Sequence, residues 1–92
     1  MSEQELLQCL QILGDPVRLS ILNMLREKPA HGFKLLEGLS ISQPTLSHHM
    51  KALRDADLVT VKSVDRKKIY AINAVKLGNI ARELQEIAEG TL

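Results

Sequence analysis

Apolar residues recur at helical spacing along most of this chain, and the pattern breaks only once. Leu6, Leu10 and Leu13 begin it, flanked by Cys9 and Ile12. Val17, Ile21, Met24 and Leu25 continue it, and Leu77, Ile80, Ala81, Leu84, Ile87 and Ala88 end it. The break is a pair of β-rich runs, Leu58-Val59-Thr60-Val61 and Ile69-Tyr70-Ala71-Ile72, with Asp65-Arg66-Lys67 between them. Such runs read as strands, and the polar residues between them as the turn of a hairpin. The chain is therefore a mainly α (α+β) domain in which helices bracket one hairpin.

Local signals set the boundaries. A first helix runs from Glu3 to Leu13 and ends at Gly14. Asp15 caps a second, with Pro16 where a missing N–H costs nothing, and Lys28-Pro29 stops it. His31 falls in the loop that follows. Phe33 to Leu39 is a short apolar helix whose end Gly38 loosens. Ser42 caps a fourth helix, from about Gln43 to Ala56, with Pro44 in its first turn. Asn73 caps a last helix over 74–89. The predicted order is α-α-α-α-β-β-α: a helix-turn-helix over about 33–56 and a hairpin over about 58–72, which is a winged-helix arrangement.

At 92 residues, without internal repeat or linker, residues 1–92 read as one domain. A chain this short buries roughly 60–65 % of its unfolded surface. Its aromatics are Phe33 and Tyr70 alone, so aliphatic side chains do nearly all the packing. Small aliphatic helical domains often complete their cores by dimerising. One cysteine rules out an intrachain disulfide, and no apolar run is long enough to span a membrane. Met1-Ser2-Glu3-Gln4-Glu5 is polar and acidic, unlike a signal peptide. With a free thiol, this places the expected location in the cytoplasm. An enzyme is disfavoured: there is no Ser/His/Asp or Cys/His arrangement with a pocket, no phosphate-binding glycine loop and no paired carboxylates near a cleft.

The formal net charge of +1 hides an uneven distribution. Residues 62–68 carry Lys62, Arg66, Lys67 and Lys68 against Asp65 alone, while Glu3, Glu5, Glu83, Glu86 and Glu89 lie near the two ends. The fourth helix is divided as sharply. At about 100° per residue, Met50 and Leu53 fall within ~40° of Leu46 and form its buried stripe. Pro44, His48, Lys51 and Asp55 land opposite, Thr45, Ser47 and Ala52 flank them, and Gln43 projects from the first turn. Amide, hydroxyl, imidazole and ammonium groups of this kind meet base edges and phosphates, and a recognition helix presents its N-terminal half to the major groove. Either feature alone reads as an ordinary solvated surface. Together, a polar helix face and a basic hairpin directly behind it point to DNA. His49 lies ~60° from Leu46, which suits packing or a hydrogen bond, and adjacent helical residues such as His48 and His49 cannot chelate one ion well.

Leu13-Gly14-Asp15-Pro16-Val17-Arg18-Leu19-Ser20-Ile21-Leu22 resembles the opening signature of the ArsR-type (arsenic-repressor-like) winged-helix regulators. Ser42-Gln43-Pro44-Thr45-Leu46-Ser47-His48-His49-Met50-Lys51-Ala52-Leu53 is similar to that family's recognition helix. The stretch from Asp57-Leu58-Val59 through Arg66-Lys67-Lys68-Ile69-Tyr70 is similar to its wing. The resemblance implies a homodimeric repressor on double-stranded DNA with a palindromic operator. It puts DNA contacts at Gln43, Pro44, Ser47 and His48, with Arg66 and Lys67 at the wing tip. Thr45, Lys51, Lys62 and Lys68 join them from the charge and face arguments. Pro44 departs from the polar residue of some members and cannot donate a hydrogen bond. The family's dimer interface, its first and last helices, implies here Leu6, Cys9, Leu10 and Leu13 with Leu77, Ile80, Leu84 and Ile87.

The family's recognisable metal sites are missing from the sequence. Its thiolate sensors carry a Cys-Val-Cys-like motif before the turn, where this chain has Phe33-Lys34-Leu35-Leu36-Glu37-Gly38-Leu39. Other members bind zinc-type ions between paired last helices through Asp and His, and residues 73–89 contain neither. No metal and no cofactor is expected, and the effector, where there is one, is unidentified. Two rivals remain: a metal- or redox-responsive repressor using a non-standard site that includes Cys9, and a small protein-interaction module without a DNA role.

Overall fold

Capping residues open four of the five described helices. Ser2 Oγ accepts from Glu5 N at 3.1 Å, and Asp15 Oδ1 accepts from Val17 N and Arg18 N at 2.9 and 3.1 Å. Ser42 Oγ accepts from Thr45 N at 3.3 Å, and Asn73 Oδ1 from Lys76 N at 3.2 Å. Each satisfies helix-end donors that would otherwise have no partner. The resulting computed structural model describes residues 1–90. Its elements are α1 (Glu3–Leu13), α2 (Pro16–Glu27), β1 (Ala30–His31), α3 (Gly32–Glu37), α4 (Gln43–Asp55), β2 (Val59–Val64), β3 (Lys67–Ile72) and α5 (Ala74–Ala88).

Two corrections concern the sheet. The predicted order α-α-α-α-β-β-α lacks β1, and His31 is not in a loop. Ala30 and His31 pair antiparallel with Tyr70 and Ile69, giving strand order β1-β3-β2. Two residues have no periodicity to read, and their partners lie far along the chain. The hairpin strands also run further than their apolar residues. Ser63 pairs with Lys68 and Val64 with Lys67, so Lys67 belongs to β3 and not to the turn. Asp65 and Arg66 alone close the hairpin, with φ of 50° and 66°. Two successive positive φ values are the signature of a type I′ turn, normally made by Asn-Gly or Asp-Gly.

The turn from α4 into β2 is equally tight. Leu58 N donates to Leu53 O and Asp57 N to Arg54 O, both at 2.9 Å. With Asp57 at φ 62°, this is a Schellman cap built without glycine. Its apolar partners, Leu53 and Leu58, are both fully buried. They sit in a core with Ile21, Leu35 and Val59, surrounded by Cys9, Leu22, Leu25, Leu46, Met50, Tyr70 and Ile80. The expected stripe Leu46, Met50, Leu53 is therefore the face of α4 that packs. On α2, Leu22 joins the buried Ile21 and Leu25, while Val17 and Met24 are only half-buried. Gly38 follows α3 as its C-cap, and a Cβ there would stand 2.5 Å from Met24 Cε, so a larger residue would have to displace the end of that flexible side chain.

Candidate nucleic-acid interface

With its apolar stripe packed, α4 leaves Gln43, Pro44, Thr45, Ser47, His48 and Lys51 exposed. Several of these groups are already engaged along the helix. Gln43 Nε2 donates to Ser47 Oγ at 2.9 Å, and the hydroxyls of Ser42 and Thr45 share a 2.9 Å bond. Lys51 Nζ reaches Asp55 Oδ2 at 2.6 Å, and that bond holds the Asp55 carboxyl below its ordinary range. His48 meets the His49 ring edge-on, centroids 5.5 Å apart. His49 is turned inward, as its place on the helix predicts, and its Nδ1 accepts from Arg18 Nε at 3.1 Å.

The hairpin brings Lys62, Arg66, Lys67 and Lys68 to the surface, all exposed. Arg66 stands in the turn, whereas Lys67 and Lys68 lie along β3. One groove then joins the two elements. It is lined by Gln43 and Ser47 from α4, Lys67 and Lys68 from β3, and Phe33 and Lys34 from α3. Pro44, Thr45, His48, Lys51, Lys62 and Arg66 lie outside that lining. Phe33 and Lys34 are additions of the structure, since neither carries a sequence motif for DNA. The signal for Phe33 is its phase: it lies about 200° around a helix from the buried Leu35, and it is 72 % exposed.

The residues assigned to the first and last helices divide into two sets. Cys9 and Ile80 are in the chain's own core, at 3 % and 4 % exposure, and Leu6, Leu13 and Leu77 pack against that core. Leu10, Leu84 and Ile87 are exposed, and the structure adds Leu7 and Val75 to that exposed set. Cys9 is a free thiol and buried. Among the described residues, no three His, Cys, Asp or Glu side chains stand close enough to hold a metal ion. No described helix is long and apolar enough to cross a membrane.

Two helices joined by a tight turn, the second exposing a polar face, and a basic hairpin behind them define a winged helix-turn-helix regulator. Residues 15–61 match the family described as "Bacterial regulatory protein, arsR family". The chain is 44 % identical over 87 residues to the arsenical resistance operon repressor of Staphylococcus xylosus, covering 95 % of this chain and 84 % of that protein. It is 33 % identical to the HTH-type transcriptional repressor SmtB of Mycobacterium tuberculosis, over 79 % of this chain and 54 % of that one. An ArsR-like transcriptional regulator from Rhodococcus sp. RHA1 superposes with a TM-score of 0.84 at 28 % identity, over 94 % of this chain and 81 % of its own. The chain belongs to the arsR family and is a DNA-binding transcriptional repressor of that kind.

Proposed function

We propose that two copies of this chain read a palindromic duplex operator in the cytoplasm, one half-site each. Gln43, Pro44, Thr45, Ser47, His48 and Lys51 face the major groove, and Lys62, Arg66, Lys67 and Lys68 neutralise phosphates beside it. The copies join through the exposed apolar residues of α1 and α5, so that a two-fold protein meets a two-fold site. The observation that carries the reading is the shared groove: the helix residues Gln43 and Ser47 and the wing residues Lys67 and Lys68 line one concave surface.

Selection of sites from a random duplex pool, at stated salt, tests it. Two matching half-sites should be enriched. Gln43→Ala or His48→Ala should each cost about 1–3 kcal/mol on the selected site and relax base choice there. Replacing Arg66, Lys67 and Lys68 with alanine should flatten the salt dependence by about 0.9 for each phosphate no longer neutralised. A pool that returns no enriched sequence overturns the reading.

A further inference from the structure

The groove between α3, α4 and β3 has more to it than a phosphate needs. Its volume is about 760 Å3, within the ~300–1,000 Å3 of small-molecule sites. Its rim is cationic but its walls are not: Phe33, Leu36, Leu46, Met50 and Tyr70 all line it. Leu46, Met50 and Tyr70 are already covered by the chain's own core, but a duplex backbone laid against the rim would satisfy the lysines and leave the exposed Phe33 and the half-buried Leu36 with nothing apolar to cover them. The charges are also unevenly committed. Lys34 pairs with Glu37 at 3.9 Å. Among the described residues, Lys67 and Lys68 have no carboxylate within ion-pair distance. Lys68 lies two residues from Tyr70 on β3, hence on the same face of the strand, above the aromatic wall.

We propose that this groove is an effector site for an amphipathic organic anion, a carboxylate on an aliphatic or aromatic body, and that its occupancy releases DNA. The body lies against Phe33 and Leu36, and the carboxylate meets Lys68, with Lys67 beside it. Release follows from shared groups. Gln43 and Ser47 line the same groove, so a bound molecule stands between them and the base edges. A lysine that holds the carboxylate is also withheld from a phosphate. The two ligands then weaken each other by the same factor. The release step rests on the DNA reading above; the binding step does not.

Titration calorimetry of the wild-type chain without DNA tests the binding step, using decanoate for a flexible body, 2-naphthoate for a flat one and 2-naphthalenemethanol as the uncharged counterpart. At least one acid should bind saturably at one per chain, and 2-naphthoate about tenfold tighter than its alcohol if that flat body is the one accepted. Lys68→Gln should weaken the acid that binds and leave the alcohol unchanged. Phe33→Ala, a surface change whose folding circular dichroism confirms, should weaken that acid about tenfold. On the selected operator, the acid should raise the apparent Kd of wild type, and that of Phe33→Ala only at about tenfold higher acid concentration. No saturable binding of either acid, or binding that both variants leave unchanged, overturns the site. Groove binding that leaves operator affinity untouched overturns release. Groove binding in a chain that selects no DNA sequence upholds the site and removes the DNA reading instead.

Discussion

Arg18 on α2 and His49 on α4 are joined by a 3.1 Å hydrogen bond, with Arg18 Nε as donor and His49 Nδ1 as acceptor. The same guanidinium reaches the Ile12 carbonyl at 3.3 Å, so one side chain ties the end of α1, α2 and α4 together. An imidazole nitrogen accepts only when it carries no proton, which fixes the form of His49 that this link uses. His48, the next residue back, faces out. Whatever sets the rotation of α4 at His49 therefore sets the direction in which His48 is aimed.

Arg18→Met keeps the aliphatic stem and removes both bonds. Stability should fall by about 1–3 kcal/mol in a denaturant melt. Discrimination between the selected operator and random DNA should also narrow, while the slope of log affinity against log salt stays that of wild type. A slope reduced by about 0.9 would instead place Arg18 on a phosphate.

Asp15 gives the fold an acid limit. Backbone N–H bonds, Arg18's first and then Val17's, hold its carboxyl below the ordinary 3.8, with the Arg18 charge adding to them. A depressed carboxylate stabilises the folded chain above the unfolded value, and the contribution is lost as pH falls through the folded one. Asp15→Ala should therefore lower Tm at neutral pH, with the gap to wild type closing progressively below about pH 3.8. Thermal melts across the acid range measure it, and a gap that stays constant with pH would show that the charge contributes nothing.

Among the described residues, three that are not glycine hold positive φ: Asp57, Asp65 and Arg66. Asp57 closes the cap behind α4, and its carbonyl accepts from Asn73 Nδ2 at 2.9 Å, a bond that glycine keeps, so Asp57→Gly should stabilise by about 0.5–1 kcal/mol and leave DNA affinity unchanged. Asp65→Asn with Arg66→Gly should stabilise by a similar amount, because Asn-Gly suits the type I′ turn. That second variant also removes the exposed cation at the wing tip, so it should bind DNA more weakly and with a shallower salt slope. Equal DNA affinity in this variant and in Asp65→Asn alone would mean that Arg66 does not reach the duplex.

The helices and their caps were legible because their signals are local. Asp15-Pro16, Ser42-Gln43-Pro44 and the stripe Leu46, Met50, Leu53 each act within a turn or two of themselves. What escaped the sequence is long-range or unsignalled. β1 exists because Tyr70 and Ile69 lie beside Ala30 and His31, and nothing in a dipeptide announces such a partner. The hairpin's full length was hidden because Asp65-Arg66 lacks the glycine that marks a two-residue turn. The polar face of α4 could be read from angles alone. The groove could not, because Phe33 and Lys68 come to line one surface only through the packing of α3 against β3.

The last helix offers a test that separates folding from association. Helical spacing puts Ile80, Leu84 and Ile87 on related positions of α5, yet Ile80 is 4 % exposed within a single chain, and Leu84 and Ile87 are 42 % and 68 % exposed. A charge at Ile80 would sit unpaired in the chain's own core, so Ile80→Glu should unfold it. Leu84→Glu with Ile87→Glu leaves that core intact, so circular dichroism should keep its helical signal and a cooperative melt should survive. If these residues join two copies, sedimentation should then report a monomer, and affinity for a two-half-site operator should drop towards that for a single half-site. A folded double variant that still sediments as a dimer would move the interface away from this end of α5.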